Sequence, residues 1–171
     1  MKSIEFYIFK EIDDDLARSF LEWVHSFDNL SPMILKVYIN SYGGSLTAAV
    51  AIINAMHSTQ HTVVTIATGA IMSAAVLIFV SGRQRAIYDD CEIMSHQFST
   101  STGYSKYHEL ESSAKQFKLI AKLMQNIYIK ASDGKLTRDI VSKKLLSETD
   151  IYLTPKQLKK FGLVDAILEV S

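Results

Sequence analysis

Apolar residues recur along this chain in two alternating rhythms. Residues 4–9 and 34–39 form short apolar runs. In the second, Leu35, Val37 and Ile39 fall at every other position, the period of a half-buried strand. Between them Leu16, Phe20, Trp23, Val24 and Phe27 recur at helical spacing. Asp13, Asp14 and Asp15 precede them, acids that favour the positive end of a helix dipole. Residues 46–56 predict an Ala-rich helix. The long apolar run 63–80 begins β-branched, as a buried strand would, and turns helical after Gly69, with Ser73 at the hinge. Residues 85–88 and 92–95 are short strand candidates around the Asp89-Asp90 turn, and the Ser/Thr-rich stretch 99–103 reads as a loop or an exposed strand.

A long helix is expected over about 105–131. Tyr107, Leu110, Ala114, Phe117, Ala121, Met124 and Tyr128 make one stripe, and Ile120, Leu123 and Ile127 a second. Two stripes fit packing against more than one neighbour, another subunit included, and equally a helix lodged in its own core. Asp133-Gly134 ends it. Residues 137–146 and 155–161 are shorter helices, the second with Pro155 at its start and Gly162 past its end, and residues 163–168 a last strand. Strands alternating with helices predict an α/β fold with a mainly parallel sheet covered on both faces, in one domain spanning 1–171.

Composition narrows the function classes. A chain of 171 residues with 48% apolar content supports a core without disulfides or structural metal. The 18 basic and 18 acidic residues cancel, so no basic surplus points to nucleic acid. Cys91 has no second cysteine to pair with, and Glu5 and Lys10 interrupt the first apolar stretch, unlike a signal peptide. Run 63–80 is broken by Thr65, Thr68, Gly69 and Ser73, which favours a buried strand plus helix over a membrane span. A cytoplasmic protein without membrane contact is expected.

Few residues are placed to carry chemistry. Ser73, at a strand-to-helix junction, is a nucleophile candidate beside the free N–H groups of a new helix; a small helix residue bonded to the preceding turn is the plainer reading. The loop 40–45, with Gly43-Gly44, leaves backbone N–H groups uncovered and suits an oxyanion, yet lacks the phosphate-loop lysine and the dinucleotide glycine pattern, so no nucleotide cofactor is expected. Of five histidines, His25, His57, His61 and His108 read as solvated. His96 ends a short strand before a polar loop, where α/β folds expose working residues. A serine nucleophile needs a base, and the base a carboxylate; Asp133, Asp139, Asp150 and Asp165 all follow His96, and Asp150 adjoins an apolar strand. Asp89 and Asp90 lack a second cluster of ligands at metal spacing, so no metal is expected.

Taken together, Tyr38-Ile39-Asn40-Ser41-Tyr42-Gly43-Gly44-Ser45, Gly69-Ala70-Ile71-Met72-Ser73-Ala74-Ala75, Met94-Ser95-His96-Gln97, Asp150-Ile151-Tyr152-Leu153-Thr154 and Phe161-Gly162-Leu163-Val164-Asp165 resemble the Clp (caseinolytic) protease proteolytic-subunit family, ClpP, in the family's order over nearly the whole chain. The resemblance implies a crotonase-like α/β spiral with a protruding handle over about 97–131. It implies Ser73 as nucleophile, His96 as general base and acid, Asp150 as orienting carboxylate, and the Gly44 and Ala74 backbone N–H groups as oxyanion hole. It further implies a homo-oligomer of heptameric rings stacked as a tetradecamer, cleaving peptides or unfolded proteins inside a chamber, with extended substrate lying beside the handle.

The chain departs from the family pattern in places. Tyr42 and Phe98 stand where prolines are usual beside the site, and Thr149 where an arginine helps pair the rings. Lys36 stands where an aromatic is common in the docking cleft, and the chain begins almost at the first strand; both weigh against partnership with an AAA+ Clp ATPase. Short relatives of this kind occur in phages and prophages. The alternatives to a serine endopeptidase are a catalytically silent ring subunit, a capsid-assembly protein of the same fold, and an acyl-CoA enzyme of the wider crotonase-like group.

Overall fold

The computed structural model describes residues 3–97 and 107–169. In chain order the elements are β1 (Ser3–Ile8), α1 (Asp14–His25), β2 (Ile34–Ser41), α2 (Leu46–Ser58), β3 (Thr62–Met72), α3 (Ala74–Val80), β4 (Gln84–Tyr88), β5 (Glu92–Ser95), α4 (Tyr107–Ala131), α5 (Arg138–Lys144), β6 (Ile151–Leu153), α6 (Pro155–Lys160) and β7 (Ala166–Leu168). Side-chain caps fix several helix starts. The Asp13 carboxylate accepts from Leu16 N at 2.7 Å, and Thr154 and Gln157 form a capping box ahead of Pro155.

Among the described residues the sheet has seven strands, with the path β1-β2-β3-β4-β7 and β5 and β6 off it. Every pairing is parallel except β5 with β6. The 11-residue β3 organises the molecule. Its first half, Val64 to Ala67, pairs with β4, and its second half, Ala70 to Met72, pairs with β5. The sheet therefore forks around Thr68-Gly69. On the other side the β2 register shifts between Ile39 and Ser41. There the Asn40 side chain accepts from Ala70 N at 2.9 Å, standing in for a backbone acceptor lost at the bulge. A Cβ on Gly69 would sit 2.6 Å from Asn40 Oδ1, so glycine gives this side chain its room.

Burial follows the apolar pattern. Leu35, Val37 and Ile39 are all fully buried, and α1 buries Leu16, Ala17, Phe20 and Val24. All residues of α3 are buried, which accounts for the unbroken apolar run there. No helix among the described residues is long and apolar enough to cross a membrane. The far edge of the fold is held by Arg85 of β4, 8% exposed. Its guanidinium donates to Asp165 at 3.1 and 2.8 Å and to the Ala131 carbonyl at the end of α4. Asp165 also accepts from Arg85 N at 2.8 Å, and hydrogen bonding from Arg85 holds its carboxyl below the ordinary value.

Several expectations are corrected. The strand after residue 63 does not give way to helix at Gly69 but runs to Met72, because β5 supplies hydrogen-bond partners for three more residues. His61 is buried, not solvated: its Nδ1 accepts from Met33 N at 3.3 Å and its Nε2 donates to the Phe27 carbonyl at 3.0 Å, tying the turn before β3 to the segment between α1 and β2. The last strand begins at Ala166, since Asp165 is taken by Arg85. On α4, from residue 113 onward, the first stripe buries Met124 and Tyr128 but leaves Ala114 exposed, and Leu119 and Leu123 are 67% and 40% exposed. From residue 113 onward, the helix is lodged in the core through Met124 and Tyr128. The stretch 99–103 lies outside the described residues.

Candidate active site

The site forms where β3 ends. Met72 closes the strand, Ala74 opens α3, and the chain reverses direction within Ser73, whose φ of 52° and ψ of −122° are unusual for a residue with a Cβ. Such a conformation costs about 1–3 kcal/mol and persists only where neighbours enforce it. Here Ser73 N donates to the Met94 carbonyl at 2.9 Å, and the Ser73 carbonyl accepts from Val76 N at 3.1 Å. The residue is gripped between β5 and the first turn of α3.

The glycine pair packs directly against this turn. Gly43 and Gly44 have φ of 102° and 141°, and a Cβ on Gly43 would stand 2.8 Å from both the Met72 carbonyl and Ser73 Cβ. Only glycine permits both the conformation and the approach. The loop is clamped from outside: Ile12 N donates to the Gly43 carbonyl at 2.8 Å, and Ser45 N to the Ile12 carbonyl at 2.7 Å. Those bonds occupy the Gly43 carbonyl and the Ser45 amide and tie the loop to the segment before α1. Gly44, Leu46, Ser73, Ala74, His96, Gln97 and Met124 line a single cavity of about 100 Å³.

His96 follows β5 and is 23% exposed at its side chain. Its Nε2 lies 2.8 Å from Ser73 Oγ, the distance of a good hydrogen bond. For Nε2 to accept the serine proton, the imidazole proton must sit on Nδ1. That atom faces Asp150 Oδ1 at 3.9 Å, an ion-pair distance too long for a hydrogen bond. The ladder explains the meeting. Ser95 pairs with Ile151 in the antiparallel β5–β6 register, so one residue further brings His96 opposite Asp150. Asp150 adjoins not a buried strand, as its apolar neighbours led us to expect, but a half-exposed one. Tyr152 is 70% and the Asp150 side chain 55% exposed.

The structure thus brings together all five residues singled out for chemistry, with Ser73, His96, Gly44 and Ala74 around one cavity and Asp150 behind the imidazole. The other acids following His96 are elsewhere: Asp139 pairs with Lys143, Asp165 with Arg85, and Asp133 lies in the turn after α4. Sequence reasoning passed over Ser95 and Tyr128, whose hydroxyls meet at 2.8 Å directly behind His96. Their one sequence signal is a polar tip on an otherwise apolar helical stripe and a serine on the inward side of a short strand.

A family model described as Clp protease matches residues 1–171. ATP-dependent Clp protease proteolytic subunit 1 of Bifidobacterium longum is 29% identical over 165 residues, covering 93% of this chain and 68% of the relative. Subunit 2 of Prochlorococcus marinus is 29% identical over 167 residues, covering 95% of this chain and 79% of the relative. Among solved structures, a mutant of ClpP1 from Listeria monocytogenes has the same fold, with a TM-score of 0.84 at 23% identity over 97% of this chain and 91% of that chain.

Proposed function

The chain belongs to the Clp protease family, and from that premise we propose that it is a serine endopeptidase in which Ser73, His96 and Asp150 act as a triad. His96 Nε2 takes the Ser73 Oγ proton as Oγ bonds to the substrate carbonyl carbon. The oxyanion formed there rests on the Gly44 and Ala74 N–H groups. Collapse breaks the peptide C–N bond, and the leaving amine takes the proton from His96. Water, deprotonated by the same imidazole, then releases the acyl group and restores the serine. Asp150 keeps the Nδ1 proton directed away from the serine and stabilises the imidazolium. At 3.9 Å from Nδ1 its carboxylate stands at ion-pair distance from the imidazolium.

The observation that carries this reading is the 2.8 Å contact between Ser73 Oγ and His96 Nε2 in a cavity that Gly44 and Ala74 also line. A fluorophosphonate probe should label the wild-type chain on Ser73 and leave Ser73→Ala unlabelled. Peptide hydrolysis should fall by about 10⁶-fold in that variant if the triad acts as a unit. Equal labelling of both proteins would overturn the proposal.

A catalytically silent ring subunit is the second reading, and the 3.9 Å separation of His96 and Asp150, too long for a hydrogen bond, is what favours it. It predicts no labelling of either protein. The exposed Leu119 and Leu123 on α4 support assembly through the handle, into stacked seven-membered rings by family resemblance. The native mass in solution tests this. Cleavage of short peptides without ATP tests whether the chain works apart from an ATPase.

A further inference from the structure

On the face of β5 opposite to His96 lies a buried polar chain that the reaction does not use. Ile93 and Ser95 point into the core, while Met94 and His96 alternate to the other side. Ser95 is 1% exposed and Tyr128, from α4, is fully buried. Ser95 Oγ stands 2.6 Å from the Leu145 carbonyl and 2.8 Å from Tyr128 Oη. The carbonyl can only accept, so the single Ser95 proton goes to Leu145 and Tyr128 must donate to Ser95. Burial pushes the Tyr128 phenol far above its usual value, so it is a neutral donor at any working pH.

The accepting end of this chain is anchored. Leu145 is the C-cap of α5, and its carbonyl is one of those a helix end leaves without an intrahelical partner. Two residues on, the Ser147 carbonyl accepts from Gln97 N at 3.2 Å. The residues on both sides of His96 are therefore tied to the segment 145–147, which continues to Asp150 and β6. A buried hydroxyl chain gains little stability over an apolar pair of the same shape. What it adds is direction, because each bond is satisfied in one geometry only.

We propose that Tyr128 and Ser95 are positioning residues for His96: the relay from Tyr128 through Ser95 to the Leu145 carbonyl fixes the strand end from which the imidazole reaches Ser73. This rests on the reading of Ser73 and His96 as nucleophile and base. It links α4 to the reacting groups by two hydroxyls rather than by apolar packing alone.

The test uses the full chain with Tyr128→Phe, which removes one oxygen and keeps the ring, Ser95→Ala, and the double variant. Peptide hydrolysis, the rate of fluorophosphonate labelling at Ser73, thermal stability and the ¹⁵N resonances of the His96 ring are measured for each. Tyr128→Phe should lower kcat and the labelling rate together by about 10- to 100-fold, as a misplacement of up to about 1 Å does, with KM little changed. The double variant should be no slower than Ser95→Ala, since both hydroxyls serve one relay. Wild-type kcat and labelling in both single variants, with only a lowered Tm, would overturn the proposal, as would additive losses in the double variant. If the wild-type chain neither hydrolyses nor labels, it is the catalytic reading that fails, and the His96 ring resonances decide this one. A shift in Tyr128→Phe supports positioning, and an unchanged spectrum overturns it.

Discussion

Replacing Ser73 by glycine and, separately, by alanine isolates the strain at the β3–α3 junction. Both substitutions delete the hydroxyl and its bond to His96, so the two variants differ only by a methyl group on a residue with φ 52° and ψ −122°. With a Cβ this backbone costs about 1–3 kcal/mol, and glycine adopts it freely. Two effects oppose the gain. Glycine gives the unfolded chain about 0.5–1 kcal/mol more freedom to lose. A partly buried methyl is worth less than the roughly 0.8 kcal/mol of a buried methylene. At the middle of these ranges Ser73→Gly is more stable than Ser73→Ala by about 1 kcal/mol, or about 2–4 °C in a domain of this size. Urea unfolding of both variants at one protein concentration reads the difference, concentration being held because assembly is linked to stability. The opposite order, alanine above glycine by about 1 kcal/mol, is the ordinary result for a helix-compatible residue. It would show that residue 73 does not hold this conformation, and the account of the site's geometry would fall with it.

Other substitutions probe the surrounding frame. Gly43→Ala sets a Cβ 2.8 Å from the Met72 carbonyl and Ser73 Cβ at a φ of 102°, so it should cost at least about 1–3 kcal/mol and abolish labelling of Ser73; a stable, fully labelled variant would contradict the close packing. Asn40→Ala removes the acceptor of Ala70 N and should destabilise by about 1 kcal/mol at the fork of the sheet, measured by urea unfolding, whereas no loss would mean the bulge is held otherwise. Asp165→Asn leaves the buried Arg85 without its anion and should cost about 1–3 kcal/mol at pH 7, below the figure for a fully buried pair because Asp165 is half-exposed. Because Arg85 depresses the folded-state value of Asp165, the pairing stabilises fully above the ordinary carboxyl value of 3.8 and fades as pH falls through the lower folded one. The gap between wild type and variant should therefore close in acid, and a gap constant down to pH 2 would refute the assignment.

Local pattern revealed the elements well and their tertiary partners poorly. The alternation at Leu35, Val37 and Ile39 and the stripe on α1 behind Asp13 depend on one buried face each, and both appear as expected. The end of β3 was not legible, because the partners of Ala70 to Met72 are β5, about twenty residues further on, and Ser41 beyond the β2 bulge. His61 looked solvated beside a helix-to-strand turn, yet its ring bonds to backbone groups of residues 27 and 33. The candidate site was legible as five residues in a family's order. Its backing was not: the partners Ser95 and Tyr128 are 33 residues apart, a separation that no periodicity marks. Nor did apolar neighbours tell that the strand after Asp150 would be half-exposed.

The forked sheet divides the molecule into two parts that need not open together. β4, with β7 beyond it, pairs with one half of β3, while β5, with β6 beyond it, joins the other half through Ala70, Ile71 and Met72. His96 and Asp150 ride on that second leaf, whereas Ser73 stays with β3 and α3. Loosening the leaf would part base from nucleophile while the remaining core stayed closed. Amide hydrogen exchange should register it as an opening event of its own, with Ile93 to Ser95 exchanging ahead of Leu35 to Ile39. The exchange rate of those few amides would then count how often the site is disassembled in an otherwise native chain.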